Sequence, residues 1–365
     1  MRVESLKIEK FRNFESLDLR FGNSINLLYG NNGSGKTNIL EAVFILLLGR
    51  SQRGAPDSVM LKEGSDYYRL EGNLVFDEGR GEELSAACQK NGRKKLTVDG
   101  VGVKASELFA RHTVVSLAPE DIDILSGPPS GRRNFLDIYL SQAQSQYLAV
   151  LGDYQKALAQ KNAFLKQDNN TADTPYDDLL VEYGSDVILH RNEFINQVSP
   201  IASDFYGELS GGQMFTVSYK PSAVSIEDTE DTDTIKSAFK NKLARYRERE
   251  RIMQMTLVGP HRDDIEFGIG DYPARSYGSQ GELRSAAVAL KLAVFEYLKK
   301  VRRATPILLM DEIFAELDND RRERLVGSFG GFGQLFLTSA SAVPERLLAN
   351  SRQFKIENGM VIDSD

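Results

Sequence analysis

Residues 30–37 read Gly-Asn-Asn-Gly-Ser-Gly-Lys-Thr, and this stretch decides the fold. The spacing is G-x-x-x-x-G-K-[ST], a loop whose backbone N–H groups close around phosphate oxygens. Its flanks supply the context such a loop needs. Ser24 to Tyr29 read as a buried strand, and Asn38 to Leu48 are rich in helix formers and stop at Gly49. Strand, Gly-rich loop and helix in that order specify an α/β fold with an anion site at the helix N-terminus. Gly30, Gly33 and Gly35 give the backbone its freedom, with Asn31, Asn32 and Ser34 between them. Lys36 is placed to reach β- and γ-phosphates, and Thr37 to ligate Mg²⁺. A chance Gly-rich turn would account for the eight residues alone, but not for the strand and helix around them.

The composition sets outer limits. The chain has 365 residues, enough for two or three domains, with 41% hydrophobic and 27% charged content. The first fifteen residues carry Arg2, Glu4, Lys7, Glu9, Lys10 and Arg12, so no secretory segment is expected there. The longest apolar stretch, Ile39 to Leu48, contains Glu41 and is too short to cross a bilayer. Cys88 is the single cysteine, which excludes a disulfide within the chain and suits a reducing, cytoplasmic setting. His112, His190 and His261 lie far apart in sequence, and no zinc site is expected. The net charge of −7 argues against nucleic-acid binding through global charge but leaves a local basic surface open.

The N-terminus alternates like a strand through Val3, Leu6 and Ile8, then Phe11, Phe14, Leu17, Leu19 and Phe21, with turns at Arg12-Asn13 and Gly22-Asn23. Residues 66–104 predict an antiparallel meander, with strands at 67–76 and 84–89 and type I′ hairpin turns at Asn91-Gly92 and Asp99-Gly100. Helical periodicity runs over 131–167, breaks in the polar stretch 168–175, and resumes over 176–209. A strand is predicted at 215–219, an acidic loop at 224–234, a highly charged helix at 235–253, and strands at 255–258 and 264–269.

A second motif lies near the C-terminus. Ile307 to Met310 form a short apolar run, as for a parallel strand buried on both faces, and deliver Asp311 and Glu312 at its carboxyl end. There Asp311 is positioned to hold Mg²⁺ through water, and Glu312 to orient or deprotonate an attacking water. Between the two motifs, Ser279-Gln280-Gly281-Glu282 opens an Ala/Leu-rich helix over 285–300. This segment is either an anion site at a helix N-terminus or a simple capping box between Ser279 and Glu282.

Phosphate loop, Ser-x-Gly-Glu segment, apolar strand ending Asp311-Glu312, then Glu316-Leu317-Asp318 is an order that resembles the ABC-type ATPases. Within them the chain is similar to the SMC-like subset that includes the RecF family. That likeness rests on Leu6 to Phe14, on Leu117-Ala118-Pro119-Glu120-Asp121, on Gly131 to Asp137 and on Gly259 to Asp264. Two departures stand out: Gly278 and Gln280 alter the usual signature, and Thr338-Ser339 follow a strand at 334–337 where ABC ATPases carry a histidine.

The resemblance implies an ABC-type P-loop ATPase head from residues 1–118 and 257–365, with a mainly helical lobe, 119–256, inserted between them. It implies ATP and Mg²⁺ as ligands, and it adds Arg12 and Asn13 to the nucleotide site. Ser279 and Gly281 would contact the γ-phosphate of ATP bound to a second copy, so that ATP closes a homodimer and slow, DNA-dependent hydrolysis releases it. DNA would be the partner, at single-strand gaps or double-strand/single-strand junctions, in replication and in repair of DNA damage, alongside RecR/RecO-like recombination mediators and no membrane. The nucleotide-binding subunit of an ABC transporter remains the alternative.

Basic clusters that could meet DNA phosphates are Lys90, Arg93, Lys94 and Lys95 around a turn, Arg132-Arg133 at a helix start, and Lys242, Arg245, Arg247, Arg249 and Arg251 along one helix. In the last cluster Glu248 and Glu250 nearly neutralise the run, which favours a solvated helix face. Arg262 and Asp263 read equally as a structural pair or as part of the head's nucleotide-linked surface.

Overall fold

The structure, a computed structural model of the chain, describes residues 1–167, 174–229, 231–327, 329–340, 343–357 and 359–364. Most of the predicted polar break at 168–175 lies outside these residues. Two compact units emerge, one from Met1–Asp121, Glu208–Gly211 and Val294–Asp365, the other from Ile122–Gly207 and Gly212–Ala293.

The first unit holds two sheets. Strands β1 (Arg2–Phe11), β2 (Phe14–Arg20), β4 (Tyr67–Val75), β5 (Gly81–Gln89), β6 (Lys95–Val98) and β7 (Val101–Val103) form an antiparallel sheet in the order β2-β1-β4-β5-β6-β7. Val3, Leu6, Ile8 and Phe11 of β1 are buried, and a register shift between Val3 and Ser5 against β4 accompanies the three-residue step from Val3 to Leu6. The second sheet runs β15-β14-β3-β13-β12-β8, from β3 (Ile25–Tyr29), β8 (Val114–Leu117), β12 (Ile307–Met310), β13 (Leu335–Ser339), β14 (Ser351–Glu357) and β15 (Met360–Ser364). It is parallel except for the β14–β15 pair. Helix α1 (Lys36–Leu48) packs against β4 and β5 of the first sheet and β13 of the second. It is apolar on every side, with Ile39, Leu40 and Ala42 to Leu48 all buried, because it has a sheet on each flank. Gln334 joins the sheets, donating to the carbonyls of Val3 and Gly22 and accepting from Val3 N–H at 2.7 Å. Short helices α2 (Ala105–Arg111), α10 (Asn319–Gly327) and α11 (Glu345–Leu348) complete the unit.

The hairpins divide. Asp99 (φ 51°) and Gly100 (φ 75°) both take the left-handed conformation that a type I′ turn requires, and Val98 pairs with Val101 across them. Asn91-Gly92 do not. Neither has positive φ, the ladder stops at Ala87–Lys95, and Gly92 N–H instead closes on Gln89 O at 2.9 Å. The ion pair from Lys94 to Asp57 (2.7 Å) anchors this wider loop. Strand β8 carried no turn or alternation signal of its own, and its pairing beside β12 is a tertiary fact.

The second unit is mainly helical: α3 (Ile122–Ser126), α4 (Pro129–Ala143), α5 (Ser145–Leu165), all but the last turn of α6 (Asp177–Ser210), α7 (Thr232–Met253), α8 (Ala274–Tyr277) and the first part of α9 (Gln280–Arg302). A small antiparallel sheet orders β11 (Tyr272–Pro273), β10 (Asp264–Ile269) and β9 (Phe215–Lys220). Residues 257–293 lie in this unit, since β10 pairs along its length with β9 and the chain division falls at 293/294. The strand expected at 255–258 does not form. Thr256 N–H donates to Asn162 Oδ1 (2.7 Å) and Leu257 N–H to Glu250 Oε1 (2.8 Å), so side chains satisfy donors that a ladder would otherwise take.

A buried cation organises this unit. Arg191 donates to Pro260 O (2.7 Å), Asp263 Oδ2 (3.1 Å), Asp137 Oδ1 (2.8 Å) and Tyr147 Oη (3.1 Å). Burial pushes the Asp263 carboxyl up, against the pull of Arg191, Ser222 N–H and the Tyr219 hydroxyl. Arg132 reaches Asp264 (3.0 Å) and Arg133 donates to Asp263 O (2.8 Å). Both arginines therefore serve the fold rather than offering the open basic pair that their sequence suggested. Asp263 is likewise a structural partner. Removing one member of a buried charge cluster strands the others. Arg191→Met is expected to lower the stability of this unit by about 3–5 kcal/mol, read from urea denaturation followed by far-UV circular dichroism.

Candidate functional site

Strand register brings the two sequence motifs together. β13 lies between β3 and β12, with Ser339 opposite Tyr29 and Leu337 opposite Met310. All three strands are parallel, so the residues at or just past their carboxyl ends share one edge: the loop 30–35, Asp311-Glu312 and Thr338 to Ala340. Gly30 N–H donates to Ser339 O at 3.3 Å, tying the loop to the neighbouring strand.

The loop's shape depends on two glycines. A Cβ on Gly30 (φ 145°) would stand 2.1 Å from Ile356 O, and one on Gly35 (φ 115°) 2.7 Å from Asn13 Nδ2. Asn13, in the turn after β1, holds the loop from outside. Its amide donates to Ser34 O (3.0 Å) and its Oδ1 accepts from Asn38 (2.8 Å). Arg12 points elsewhere. Its guanidinium donates to Glu41 Oε2 (2.9 Å) and to Val59 O (2.9 Å). Asn31, Asn32 and Gly33 form the exposed tip of the loop.

Lys36 is buried, and its ammonium donates to Gly30 O (2.8 Å) and Asn31 O (3.0 Å) and pairs with Glu312 Oε1 (3.0 Å). The other oxygen of Glu312 accepts from Ala340 N–H at 2.9 Å. Glu312 itself stands in the left-handed region (φ 50°), a strained conformation for a side chain of this size. Thr37 Oγ1 donates toward both Asp311 oxygens, at 2.8 and 2.9 Å. Thr338 closes the arrangement from below. Its hydroxyl donates to Asp311 Oδ1 (2.7 Å) and accepts from Glu312 N–H (2.9 Å). Burial raises the Asp311 carboxyl above the usual range, opposed by the hydroxyls of Thr338 and Thr37 and by Arg53.

Sequence reasoning passed over two groups beside this edge. Glu41 was noted only as a charge inside an apolar run. It is 4% exposed and binds Arg12 through one oxygen and Ser51 Oγ (2.7 Å) through the other. Ser51 Oγ in turn accepts from Arg53 N–H (3.2 Å), and Arg53 reaches Glu120 (3.0 Å) and Asp311 (3.7 Å). A lone carboxylate amid nine apolar residues was the available signal, since a buried charge needs partners.

In the second unit, Ser279 and Glu282 form the capping box. Ser279 N–H donates to Glu282 Oε2 (2.8 Å), and Glu282 N–H donates back to Ser279 Oγ (3.3 Å). Ser279 is exposed and Gly281 half-buried. A Cβ on Gly278 would stand 2.7 Å from Ala274 O, which accounts for glycine at the altered signature position.

The sequence profile of the RecF/RecN/SMC N terminal domain matches residues 2–343. The DNA replication and repair protein RecF of Symbiobacterium thermophilum is 37% identical over 374 residues, spanning 100% of this chain and 99% of its own length. That of Lachnoclostridium phytofermentans is 36% identical, with 99% of each covered. The chain belongs to the RecF family. A solved structure described as the recombination mediator protein RecF with ATP in the RecFOR pathway superposes with a TM-score of 0.90 at 31% identity, covering 100% of this chain and 97% of that one. An Smc head domain from Pyrococcus furiosus, at 17% identity and a TM-score of 0.57, shares the fold alone. The RecF-family chain is thus an α/β protein of the ABC-type P-loop ATPase class with a mainly helical second unit. Its relatives named above are DNA replication and repair proteins, not transporter subunits.

Glu41→Ala should leave Arg12 without its carboxylate and the Ser51–Arg53 segment without its tether. The expected loss is roughly 2–3 kcal/mol, measured by thermal unfolding, with Glu41→Gln losing less because Ser51 keeps a partner.

Proposed function

We propose that this RecF-family chain is an ATP-dependent DNA-binding protein of replication and repair. ATP closes a homodimer of it, and slow hydrolysis of ATP opens it. The observation that carries this reading is the convergence of Lys36, Thr37, Asp311, Glu312 and Thr338 on one edge of a parallel sheet. In this reading the first unit is the catalytic head, and the second carries the Ser279 segment. A cytoplasmic location follows from a chromosomal partner.

The phosphate tail of ATP is taken by the N–H groups of residues 30–37 and the N-terminus of α1. Lys36 then exchanges its bond with Glu312 for phosphate oxygens. That exchange frees one oxygen of Glu312, while Ala340 N–H keeps the other in place. Glu312 accepts a proton from the attacking water, and the γ-phosphoryl group leaves ADP. Mg²⁺ fits this site, because Thr37 and Asp311 are hard oxygen donors already within hydrogen-bond distance of each other. When bound, the ion would neutralise charge on the phosphates. Arg12 enters this reading only as a brace, since its guanidinium is engaged by Glu41.

Ser279 and Gly281 are proposed to act on ATP held by a second copy, with two nucleotides between two chains. DNA is bound through its phosphates, at gaps or junctions, with RecR/RecO-like mediators as further partners.

Two expected outcomes test the chemistry. Thr338→Val removes the hydroxyl between the two carboxylates. ATP affinity should stay within about threefold while turnover falls roughly 10–100-fold, about 1.4–2.7 kcal/mol of barrier. Thr338→Ser should restore most of the turnover. Equilibrium titration with labelled ATP and steady-state phosphate release separate these effects.

The dimer reading is tested by mixing. Lys36→Met should lose ATP binding. Ser279→Arg should bind ATP yet stay monomeric by light scattering. A mixture should regain partial ATPase activity, because one composite site carries both lesions and the other neither. Normal dimerisation of Ser279→Arg with ATP would remove Ser279 from this role.

A further inference from the structure

The strongest unassigned surface in the second unit is one face of α7. Lys242, Arg245, Arg249 and Ile252 fall at helical spacings of three, four and three residues, which places them on one side over a length of about 15 Å. The sequence suggested that neighbouring glutamates cancel this charge, but the structure removes both. Glu250 turns into the interior, 2% exposed, where it binds Lys161 (2.7 Å) and Leu257 N–H. Glu248 is taken by Arg251 (2.7 Å). Among the described residues no carboxylate pairs with Lys242, Arg245 or Arg249. By contrast, Lys236 and Lys240 on the same helix pair with Glu182 and Asp178.

This cationic face ends in an apolar knob. Ile252 is 69% exposed and Met253 55%, with Met255 beside them at 38%. The knob is held firmly. Gln254 closes the helix in the left-handed conformation, Met255 N–H returns to Glu250 O (3.2 Å), and Arg262 reaches Thr256 O (3.3 Å) and the Met255 sulfur (3.7 Å). A row of uncompensated cations matches a phosphate strand, and a rigid apolar side chain next to it is what wedges into an opened base step.

We propose that the Lys242–Arg245–Arg249 face of α7 holds one phosphate strand of DNA while Ile252, Met253 and Met255 press against an unstacked base step. This rests on the reading of the chain as a DNA-binding protein. The loop at 89–95 is the weaker candidate, because Lys94 there is already paired with Asp57.

The test uses the full chain with ATP and fluorescent duplexes, one uninterrupted and one with a central single-strand gap, titrated over a range of salt by anisotropy. Lys242→Gln/Arg245→Gln/Arg249→Gln should weaken binding to both duplexes at least tenfold. It should also cut the slope of log affinity against log salt by about 2–3, near 0.9 per lost phosphate contact. Ile252→Ser/Met253→Ser should keep that slope and the affinity for the uninterrupted duplex, but lose the preference for the gap. ATPase activity without DNA and thermal melting should match the parent protein in both. Should the triple variant fold poorly, Arg245→Gln and Arg249→Gln alone should each lower the slope by about one.

An unchanged slope in the charge variants overturns the proposal, as does an unchanged gap preference in the serine variant. So does loss of binding to phosphatidylserine vesicles with DNA binding intact, which would make the face a membrane site. If the parent protein binds no DNA under any condition, the functional reading itself falls. If it binds DNA and every variant matches it, only the α7 surface falls.

Discussion

The parallel placement of β13 between β3 and β12 is the constraint on which the head's chemistry depends. Three separate stretches of chain, more than 270 residues apart at the extremes, end at one edge because of it. The Thr338 hydroxyl then does what no single strand could do. It bonds the side chain of one carboxylate and the backbone of the next. That backbone bond also explains how Glu312 tolerates a left-handed conformation. Strain of this kind persists where surrounding bonds over-determine the geometry. The same turn aims the Glu312 side chain at Lys36 rather than along the strand direction.

What could be read from sequence follows from how local each feature is. The phosphate loop was legible because its glycines answer to backbone geometry and its lysine and threonine to fixed spacing. Even so, the clash that requires glycine at Gly30 comes from Ile356, over 300 residues away. Asp311-Glu312 was legible because a both-faces-buried strand leaves a short apolar run. Strand β8 was not, because its four buried residues are defined by a neighbour in space. Asn91-Gly92 carried the right local signal, yet the ladder stopped early and the loop was decided by the Lys94–Asp57 pair. At Arg132, Arg133 and Glu250 the sequence shows charge but not direction. Each is taken by a partner from another element, and no pattern of charges along a helix could show that Asp264, the Asp263 carbonyl or Lys161 stands there.

The two units handle buried charge in different ways. In the second unit Arg191, Asp137, Asp263 and two tyrosines form a closed set, each group satisfied by another. Such a set gains little net stability over apolar packing, but it is costly to break, so it holds α4, α6 and the 260–264 turn in one register. The site in the first unit is left open instead. Lys36 has a carboxylate partner whose side chain is 20% exposed and two carbonyls, all weaker ligands for an ammonium than a polyphosphate.

That difference has a functional logic. A group that must release one partner and take another cannot sit in a closed network, because each exchange would strand a buried charge. Glu312 meets this condition. Ala340 N–H holds one oxygen independently of Lys36, so in the proposed exchange the carboxylate would keep its position when the lysine turns to phosphate. Asp311 meets the opposite condition. Two hydroxyls fix it, and burial raises its carboxyl above the usual range while those hydroxyls and Arg53 pull the other way. In the proposed reading, the edge of the sheet therefore offers one carboxylate to a metal ion and a second that phosphate would free from Lys36. Both follow from which strand ends beside which.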